Sequence, residues 1–180
     1  NGYKSRLATL IEIFKKKNYE VAAITSSKSL NKNSFERKYN KKKYDNVNYF
    51  FLKDINYSNY SLKRIISWFY FEYLVLKFNY KKIKFKPNII YVSSLSLLSI
   101  LNGIILKKKF NAKLVFEMRD LWPYYLYTTG KFHRFNPLII ILKFIEKLGV
   151  YHSDLIISLA PRINDYLNLI GFKYKKSFSS

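Results

Sequence analysis

Residues Val115 to Pro123 read VFEMRDLWP, an apolar run that ends abruptly in charge, tryptophan and proline. The chain contains only 11 acidic residues against 33 lysines and arginines, yet Glu117 and Asp120 both fall within this stretch. Open α/β sheets form ligand crevices where apolar strands deliver ionisable groups at their carboxyl ends. We therefore predict a strand and a ligand-facing loop, with Trp122 as an apolar wall and Pro123 fixing the exit of the chain. The alternative is an ordinary strand end with a solvated ion pair and a buried tryptophan.

Apolar runs of strand length alternate with helical patterns on both sides of this stretch. The predicted strands span residues 20–25, 47–52, 89–92, 112–116 and 155–159. The predicted helices span residues 7–18, 61–84, 95–108, 136–151 and 161–169. The polar, basic segment 26–46 is predicted to be a long loop. Such alternation indicates βαβ units and a parallel sheet, and near-continuous apolar strands are typical of a sheet covered on both faces. The sequence thus predicts an α/β protein.

Two of the predicted helices have apolar faces whose direction can be assigned. In helix 136–151, the residues predicted to face inward are Leu138, Ile141, Leu142, Ile145 and Leu148. In helix 61–84, the stripe predicted to pack on the sheet is Leu62, Ile65, Ile66, Phe69, Tyr73, Leu76, Tyr80 and Ile83. A second stripe beside it consists of Trp68, Phe71, Val75 and Phe78. Because basic residues flank this second stripe, it is suited to an anionic membrane surface. The alternative is a helix covered on two sides by its own protein.

Composition excludes several classes of site. The length of 180 residues is typical of one domain, and a hydrophobic content of 49% is ample for a packed core. The absence of cysteine excludes disulfides, thiolate metal sites and cysteine nucleophiles. The two histidines, His133 and His152, lack metal-ligand spacing, so we expect no metal site.

The net charge of +22 has two interpretations. One is an anionic partner, such as nucleic acid, anionic lipid or a phosphorylated substrate. The other is compositional drift, since lysine, asparagine, isoleucine, tyrosine and phenylalanine are the residues that an AT-rich genome favours. The chain has no zinc-finger, RRM or helix-turn-helix signature, so nucleic-acid binding would depend on charge alone and is not expected. The five glycines form no G-x-G-x-x-G motif, P-loop or G-x-S-x-G elbow.

The segment Glu117-Met118-Arg119-Asp120-Leu121-Trp122-Pro123 resembles the E-x-R-D-x-W-P segment of family 4 glycosyltransferases, in the bacterial subgroup that builds surface polysaccharides. Three further features are similar in order and spacing to that subgroup. They are Gly130, the segment 151–158 and the opening residues 1–6. The resemblance covers almost the whole chain.

The resemblance implies a fold and an activity. It implies one half of a GT-B fold, namely a Rossmann-like three-layer α/β/α domain with a mainly parallel sheet. Residues 1–180 would then be an amino-terminal, acceptor-side fragment that lacks its first strand and the donor-binding domain, is inactive alone, and exposes unpaired strand edges in mid-sheet. The family transfers sugar with retention from a nucleotide-sugar to a glycan or polyprenyl-phosphate-linked acceptor. It needs no metal or cofactor, and it works in the cytoplasm or peripherally at the inner face of the membrane.

The resemblance also assigns roles to residues. Asp120 would orient or deprotonate the acceptor hydroxyl, and Arg119 would bind substrate hydroxyls beside it. The substrate-binding candidates are Gly2 near the donor diphosphate, Lys4, Glu117 as a brace for the loop, Trp122 and Pro123. Two positions depart from the family pattern: Asn1 replaces one of a glycine pair, and Ala160 replaces a serine.

Two other classes of function stay open at this point. The first is a non-enzymatic basic module that binds anionic membrane or nucleic acid. The second is a degenerate transferase domain with an interaction role. A downstream βα domain with two glutamates seven residues apart would favour the enzyme.

Overall fold

A computed structural model describes residues 6–27, 39–44, 47–55, 62–94, 97–130, 132–173 and 177–179. The chain divides into two compact units, Asn1–Phe85 and Lys86–Ser180. Each unit has its own sheet.

The first unit contains a three-stranded sheet of order β1-β3-β2. Its elements are α1 (Arg6–Lys16), β1 (Ala22–Ser26), β2 (Tyr39–Tyr44), β3 (Val47–Leu52), α2 (Leu62–Leu76) and a 3₁₀ turn (Tyr80–Lys82). Strands β1 and β3 are parallel, whereas β2 pairs with β3 in antiparallel orientation. The left-handed backbone of Asn18, with φ of 60°, ends the turn after α1, which confirms the predicted stop of this helix.

Aromatic packing holds the carboxyl end of α2 to β3. Phe50 of β3 is fully buried, and its ring centroid lies 5.0 Å from that of Phe78. The Phe78 ring in turn contacts the Tyr80 ring, with 5.2 Å between the ring centroids, in the edge-to-face geometry that aromatic pairs prefer. The Tyr80 hydroxyl donates a hydrogen bond of 2.8 Å to the carbonyl of Val75, which caps the last turn of the helix.

The second unit contains a parallel four-stranded sheet of order β4-β5-β6-β7. Its elements are β4 (Ile89–Ser94), α3 (Ser99–Phe110), β5 (Lys113–Met118), α4 (Tyr124–Thr128), α5 (Pro137–His152), β6 (Leu155–Ser158), α6 (Ile163–Leu169) and β7 (Ser177–Ser179). Strands that are neighbours in sequence are also neighbours in space, so right-handed crossovers place the connecting helices on one face of this sheet. Asn136 caps α5 by accepting a hydrogen bond of 2.9 Å from the Leu138 amide, as an Asn-Pro pair at a helix start predicts.

Two glycines allow the helices of this unit to approach the sheet and each other. A Cβ atom on Gly103 of α3 would lie 2.6 Å from Cγ2 of Val92. A Cβ atom on Gly149 of α5 would lie 2.8 Å from Cγ1 of Ile100 and 3.4 Å from Cε1 of Phe116. Ile100 and Phe116 are fully buried and belong to the main core of the unit. The close packing of α3, α5 and β5 therefore depends on the absence of side chains at these positions.

The predicted α/β class with mainly parallel strands is confirmed, and the two sheets and six helices found among the described residues are compatible with a Rossmann-like arrangement. The prediction of a loop over 26–46 was wrong in part, because residues Tyr39–Tyr44 form β2. The sequence YNKKKY has no apolar alternation to identify a strand, but lysines are common on edge strands, where they oppose further pairing. Residues 28–38 lie outside the described part of the chain.

The apolar face predicted for α2 was wrong, and the face predicted for α5 was wrong in part. Helix α2 ends at Leu76 rather than near residue 84, and its exposed side chains include Phe69 and Tyr73 from the stripe expected to pack on the sheet. Val75, from the second stripe, is buried instead. In α5, Leu138 and Ile141 are exposed although they were expected to be buried, whereas Ile145 is buried as predicted. Both helices are apolar over so much of their circumference that hydrophobic periodicity does not determine which face packs inward.

Among the residues described, no helix combines the length and apolar character that crossing a bilayer requires.

Candidate functional site

The candidate site lies at the carboxyl edge of the parallel sheet in the second unit. Strand register aligns Ser94, Met118 and Ser158 as the last residues of three neighbouring strands. The Ser158 hydroxyl donates a hydrogen bond of 3.0 Å to the carbonyl of Met118 and accepts one of 3.1 Å from the amide of Ala160. These bonds fix the start of the loops that follow β5 and β6. The predicted loop, which follows β5, thus begins where ligands bind in open parallel sheets.

Arg119 and Asp120 are the first two residues beyond β5. Arg119 is half-buried, and Asp120 is exposed. The carbonyl of Asp120 accepts a hydrogen bond of 2.9 Å from the amide of Trp122, which closes a tight turn directly after the carboxylate. The backbone of Asp120 is thereby held at the edge of the sheet while its side chain faces solvent.

The other predicted residues of this segment differ in accessibility. Glu117 is fully buried within β5, opposite Ser93 of β4 and Ile157 of β6. Because side chains alternate along a strand, Glu117 lies on the face of the sheet opposite to Phe116 and the helices that Phe116 contacts. Trp122 is half-buried, Pro123 is buried, and the peptide bond between them is cis. The predicted binding residues Gly2 and Lys4 lie outside the described residues.

Asp154, in the segment 151–158 singled out above, lies at the opposite edge of the sheet, before β6. Its Oδ2 atom accepts hydrogen bonds from Lys107 Nζ at 2.7 Å and from the Leu114 amide at 2.8 Å. Its Oδ1 atom lies 3.3 Å from Lys113 Nζ. Burial by itself would raise the pKa of Asp154, but the hydrogen bonds from Lys107, Leu114 and Lys113 outweigh it and lower the pKa. Asp154 therefore ties α3 to the start of β5 and is a structural residue.

A cavity of about 340 Å³ lies between α4, α5 and α6, next to the end of the predicted loop. Pro123, Leu169 and Ile170 form its apolar wall. Its polar lining consists of Tyr127, Lys143, Glu146, Lys147 and Tyr166. Neither Arg119 nor Asp120 lines this cavity.

The most unusual group in this cavity is Glu146, which is 1% exposed. Its Oε1 atom accepts a hydrogen bond of 2.6 Å from the hydroxyl of Tyr166. Burial raises the pKa of Glu146 to about 7, against the opposing effects of the Tyr166 hydrogen bond and the nearby Lys143 and Lys147. Burial, together with the charge and hydrogen bond of Glu146, also raises the pKa of Tyr166.

Sequence reasoning missed this cavity. The signal that identifies it is a carboxylate on the buried stripe of an apolar helix, since Glu146 follows Ile139 at helical spacing and precedes Val150. The neighbouring Ile145 satisfies the expected apolar pattern of this helix. The short helix α4, which supplies Tyr127, was also not predicted.

No protein-family model matches this chain, and no curated protein matches it. In the parts of the chain that the structure describes, no group of three or more acidic, histidine or cysteine residues is arranged to hold a metal ion.

Proposed function

We propose that this chain is the acceptor-side half of a retaining glycosyltransferase of the GT-B class. In this proposal the enzyme moves a sugar from a nucleotide-sugar to a glycan or polyprenyl-phosphate-linked acceptor during surface-polysaccharide synthesis. The observation that supports it best is the position of Arg119 and Asp120. They directly follow β5, an inner strand of a fully parallel sheet, and the carboxylate of Asp120 is exposed beyond the strand ends. The proposal needs a donor-binding partner domain, and no cofactor or metal takes part.

In the chemistry proposed for this loop, Asp120 and Arg119 have one role each. The carboxylate of Asp120 accepts the proton of the acceptor hydroxyl, and that oxygen bonds to the anomeric carbon on the same face from which the nucleotide diphosphate leaves, as retention in a single step requires. Arg119 donates hydrogen bonds to sugar hydroxyls from its planar guanidinium. The turn closed by Trp122 supports this role, because it holds the backbone of Asp120 at the edge of the sheet before substrate arrives.

The test is a transfer assay on the complete gene product, with labelled nucleotide-sugars and a polyprenyl-phosphate-linked acceptor. We expect Asp120→Asn to lower kcat by about 100-fold or more, as the loss of a general base predicts. Nucleotide-sugar affinity should change little, because the donor would bind mainly to the other domain.

The control is Asp165→Asn, which removes an exposed carboxylate from the first turn of α6, where it pairs with Arg162 at 2.6 Å. It should leave turnover within about two-fold of the wild type. Near-normal turnover in Asp120→Asn would remove this carboxylate from the mechanism. Failure of every nucleotide-sugar to react would count against the enzyme as a whole.

The alternative function is a non-enzymatic basic module that binds an anionic membrane, and one surface favours it. Helix α2 exposes a continuous apolar stripe whose members are each between 49% and 58% accessible: Ile66, Phe69, Tyr73 and Leu76. Lys63 on the same helix and Lys77, directly after its last residue, are also exposed, and Lys77 Nζ lies 5.9 Å from the centre of the Tyr73 ring. An apolar stripe edged by lysines is the pattern of a helix that lies in a membrane interface. Such binding is compatible with both the enzyme and the module.

Vesicle co-sedimentation across a salt series tests this surface. The double variant Phe69→Ser with Leu76→Ser should lose most binding to vesicles that contain anionic lipid. The control is Ile105→Ser on α3. The side chain of Ile105 is 47% exposed in the wild type, and this variant should bind normally. Equal binding by both variants would refute the role of α2. Preferential binding to oligonucleotides would identify nucleic acid as the partner instead.

A further inference from the structure

The cavity between α4, α5 and α6 has the features of a ligand site that the proposed sugar transfer does not use. Its volume of about 340 Å³ falls at the lower end of the range for small-molecule pockets, roughly 300–1,000 Å³. Such pockets combine an apolar wall with a few convergent polar groups, and this one has both. Asp120 is not part of its lining, so the two sites can be tested separately.

The charge of the lining favours an anionic ligand. Two ammonium groups, on Lys143 and Lys147, line the cavity together with a single carboxyl group, on Glu146. Lys143 Nζ lies 4.5 Å from the centre of the Tyr127 ring, which holds the ammonium over an aromatic face on the cavity wall. The carboxyl group of Glu146 is engaged by Tyr166, whereas the ammonium of Lys147 lies on an exposed side chain. The cations are thus the groups available to an incoming ligand.

The polar groups are also held in position by packing. The ring of Tyr124 contacts both the Tyr127 ring, at 5.5 Å, and the Tyr166 ring, at 5.6 Å. Tyr166 belongs to the main hydrophobic core and is 7% exposed. Both tyrosines of the cavity lining are therefore fixed to the body of the unit.

We propose that this cavity binds the phosphate group of a small organic phosphate, with Lys143 and Lys147 as its cationic ligands and Glu146 as a neighbour that modulates affinity. Lysine ammonium groups bind phosphate as point charges without a demand for planar geometry. The organic part would lie against Pro123, with further apolar contact from α6. The phosphate could belong to a soluble metabolite or to a lipid headgroup, and binding to soluble sugars or to vesicles distinguishes these two sources.

Glu146 makes the site sensitive to pH. The groups that face it are Lys143 and Lys147 on its own helix, Tyr166 on α6, and Tyr127 with Tyr124 on α4. Burial raises the pKa of Glu146 to about 7, so it is neutral at pH 6 and largely ionised at pH 8. An ionised carboxylate repels the bound anion, and affinity should fall as pH rises through 7.

The experiment is an NMR titration of the isotopically labelled chain with glucose 6-sulfate, whose charge does not change between pH 6 and pH 8. Glucose 6-phosphate at pH 8 provides the phosphate itself. We expect saturable shifts at the amides of residues 127, 143 and 147. Each of Lys143→Ala and Lys147→Ala should weaken binding about five-fold, the effect of losing roughly 1 kcal/mol of Coulombic attraction. Lys108→Ala, an exposed lysine on α3, is the control and should bind as the wild type does.

A second measurement tests the part played by Glu146. Wild-type affinity for the sulfate should be several-fold higher at pH 6 than at pH 8, and Glu146→Gln should remove this difference. Should that variant fail to fold, the variants Lys143→Ala and Lys147→Ala still test the site, and Tyr166→Phe should shift the pH at which affinity changes.

The remaining outcomes are distinct. Binding of phosphatidic acid vesicles that depends on both lysines, without binding of the soluble sugars, would identify a lipid headgroup as the source of the phosphate. The absence of saturable shifts with both soluble sugars and vesicles would overturn the proposal. Asp120→Asn should leave the titration unchanged, so failure of sugar transfer and failure of this site are distinguishable.

Discussion

Asp154→Asn is the substitution whose effect can best be worked out from the structure. The carboxylate joins the start of β6 to two segments that lie 40 to 47 residues earlier in the chain: α3, through Lys107, and β5, through Lys113 and the Leu114 amide. Asparagine preserves the shape of the side chain but removes its charge. It also replaces one acceptor oxygen with an NH₂ group, which would face a donor.

The expected loss is about 2 kcal/mol of unfolding free energy. Hydrogen bonds to charged groups each contribute about 1.5–3 kcal/mol. The side chains of Asp154 and Lys107 are 27% and 29% exposed, so solvent screens this pair only in part. The contact to Lys113 is discounted, since that side chain is 75% exposed. The amide oxygen of asparagine can still accept one of the two remaining bonds, so the loss corresponds to roughly one charge-assisted bond.

Urea denaturation followed by circular dichroism at pH 7 measures this loss. With a slope of about 2 kcal/mol per molar urea, the midpoint should fall by about 1 M. The control is Asp165→Asn, whose ion pair with Arg162 at 2.6 Å has side chains 59% and 85% exposed. It should cost at most about 0.5 kcal/mol.

The pH dependence of unfolding free energy tests whether the charge of Asp154 causes this loss. The pKa of Asp154 is lowered on folding, so its contribution is fully present above the unfolded value of about 3.9 and is lost as pH falls through the folded value. The difference between wild type and Asp154→Asn should therefore be constant near neutrality and shrink below about pH 4. Equal losses in Asp154→Asn and Asp165→Asn, or a difference that persists in acid, would show that this reasoning is wrong.

Three further substitutions should change the stability of the protein. The pKa of Glu146 is about 7 in the folded protein and about 4.3 in the unfolded chain, so its contribution to stability is lost as pH rises through 7. Between pH 5 and pH 8, the urea midpoint of Glu146→Gln should therefore decline less than that of the wild type. Gly149→Ala should destabilise by about 1 kcal/mol, because overpacking against the buried Ile100 exceeds the gain in helix propensity; an increase in the thermal midpoint would contradict the packing described. Tyr80→Phe should cost about 1 kcal/mol through the lost bond to Val75, and an unchanged midpoint would argue against that bond.

The elements that sequence predicted well are those with one dominant local signal. Strand β3 was predicted with its observed bounds, because five of its six residues, VNYFFL, are apolar or aromatic. Helix α5 begins where Asn136 and Pro137 predict, because capping depends on residues next to each other. Strand β2 was missed, since its pairing with β3 depends on a neighbouring strand and not on its own apolar content.

The candidate site was predictable in part. The charged loop after β5 could be located because a strand end and its charged residues are adjacent in sequence. The accessibility of its members could not, since Glu117 and Asp120 are the same type of group and differ only in what surrounds them. The cavity at Glu146 could not be predicted either, because its lining comes from three separate helices.

By itself, the sequence determined the α/β class, the order of strands and helices around β5, and the place of the charged loop at a strand end. These depend on short-range periodicity, capping and turn chemistry, which a few neighbouring residues specify. Only the tertiary structure decided which face of α2 is exposed, that Asp154 is structural, and that Glu146 is buried beside Tyr166. Burial and pKa depend on atoms brought together from distant parts of the chain, and periodicity within one segment carries no information about them.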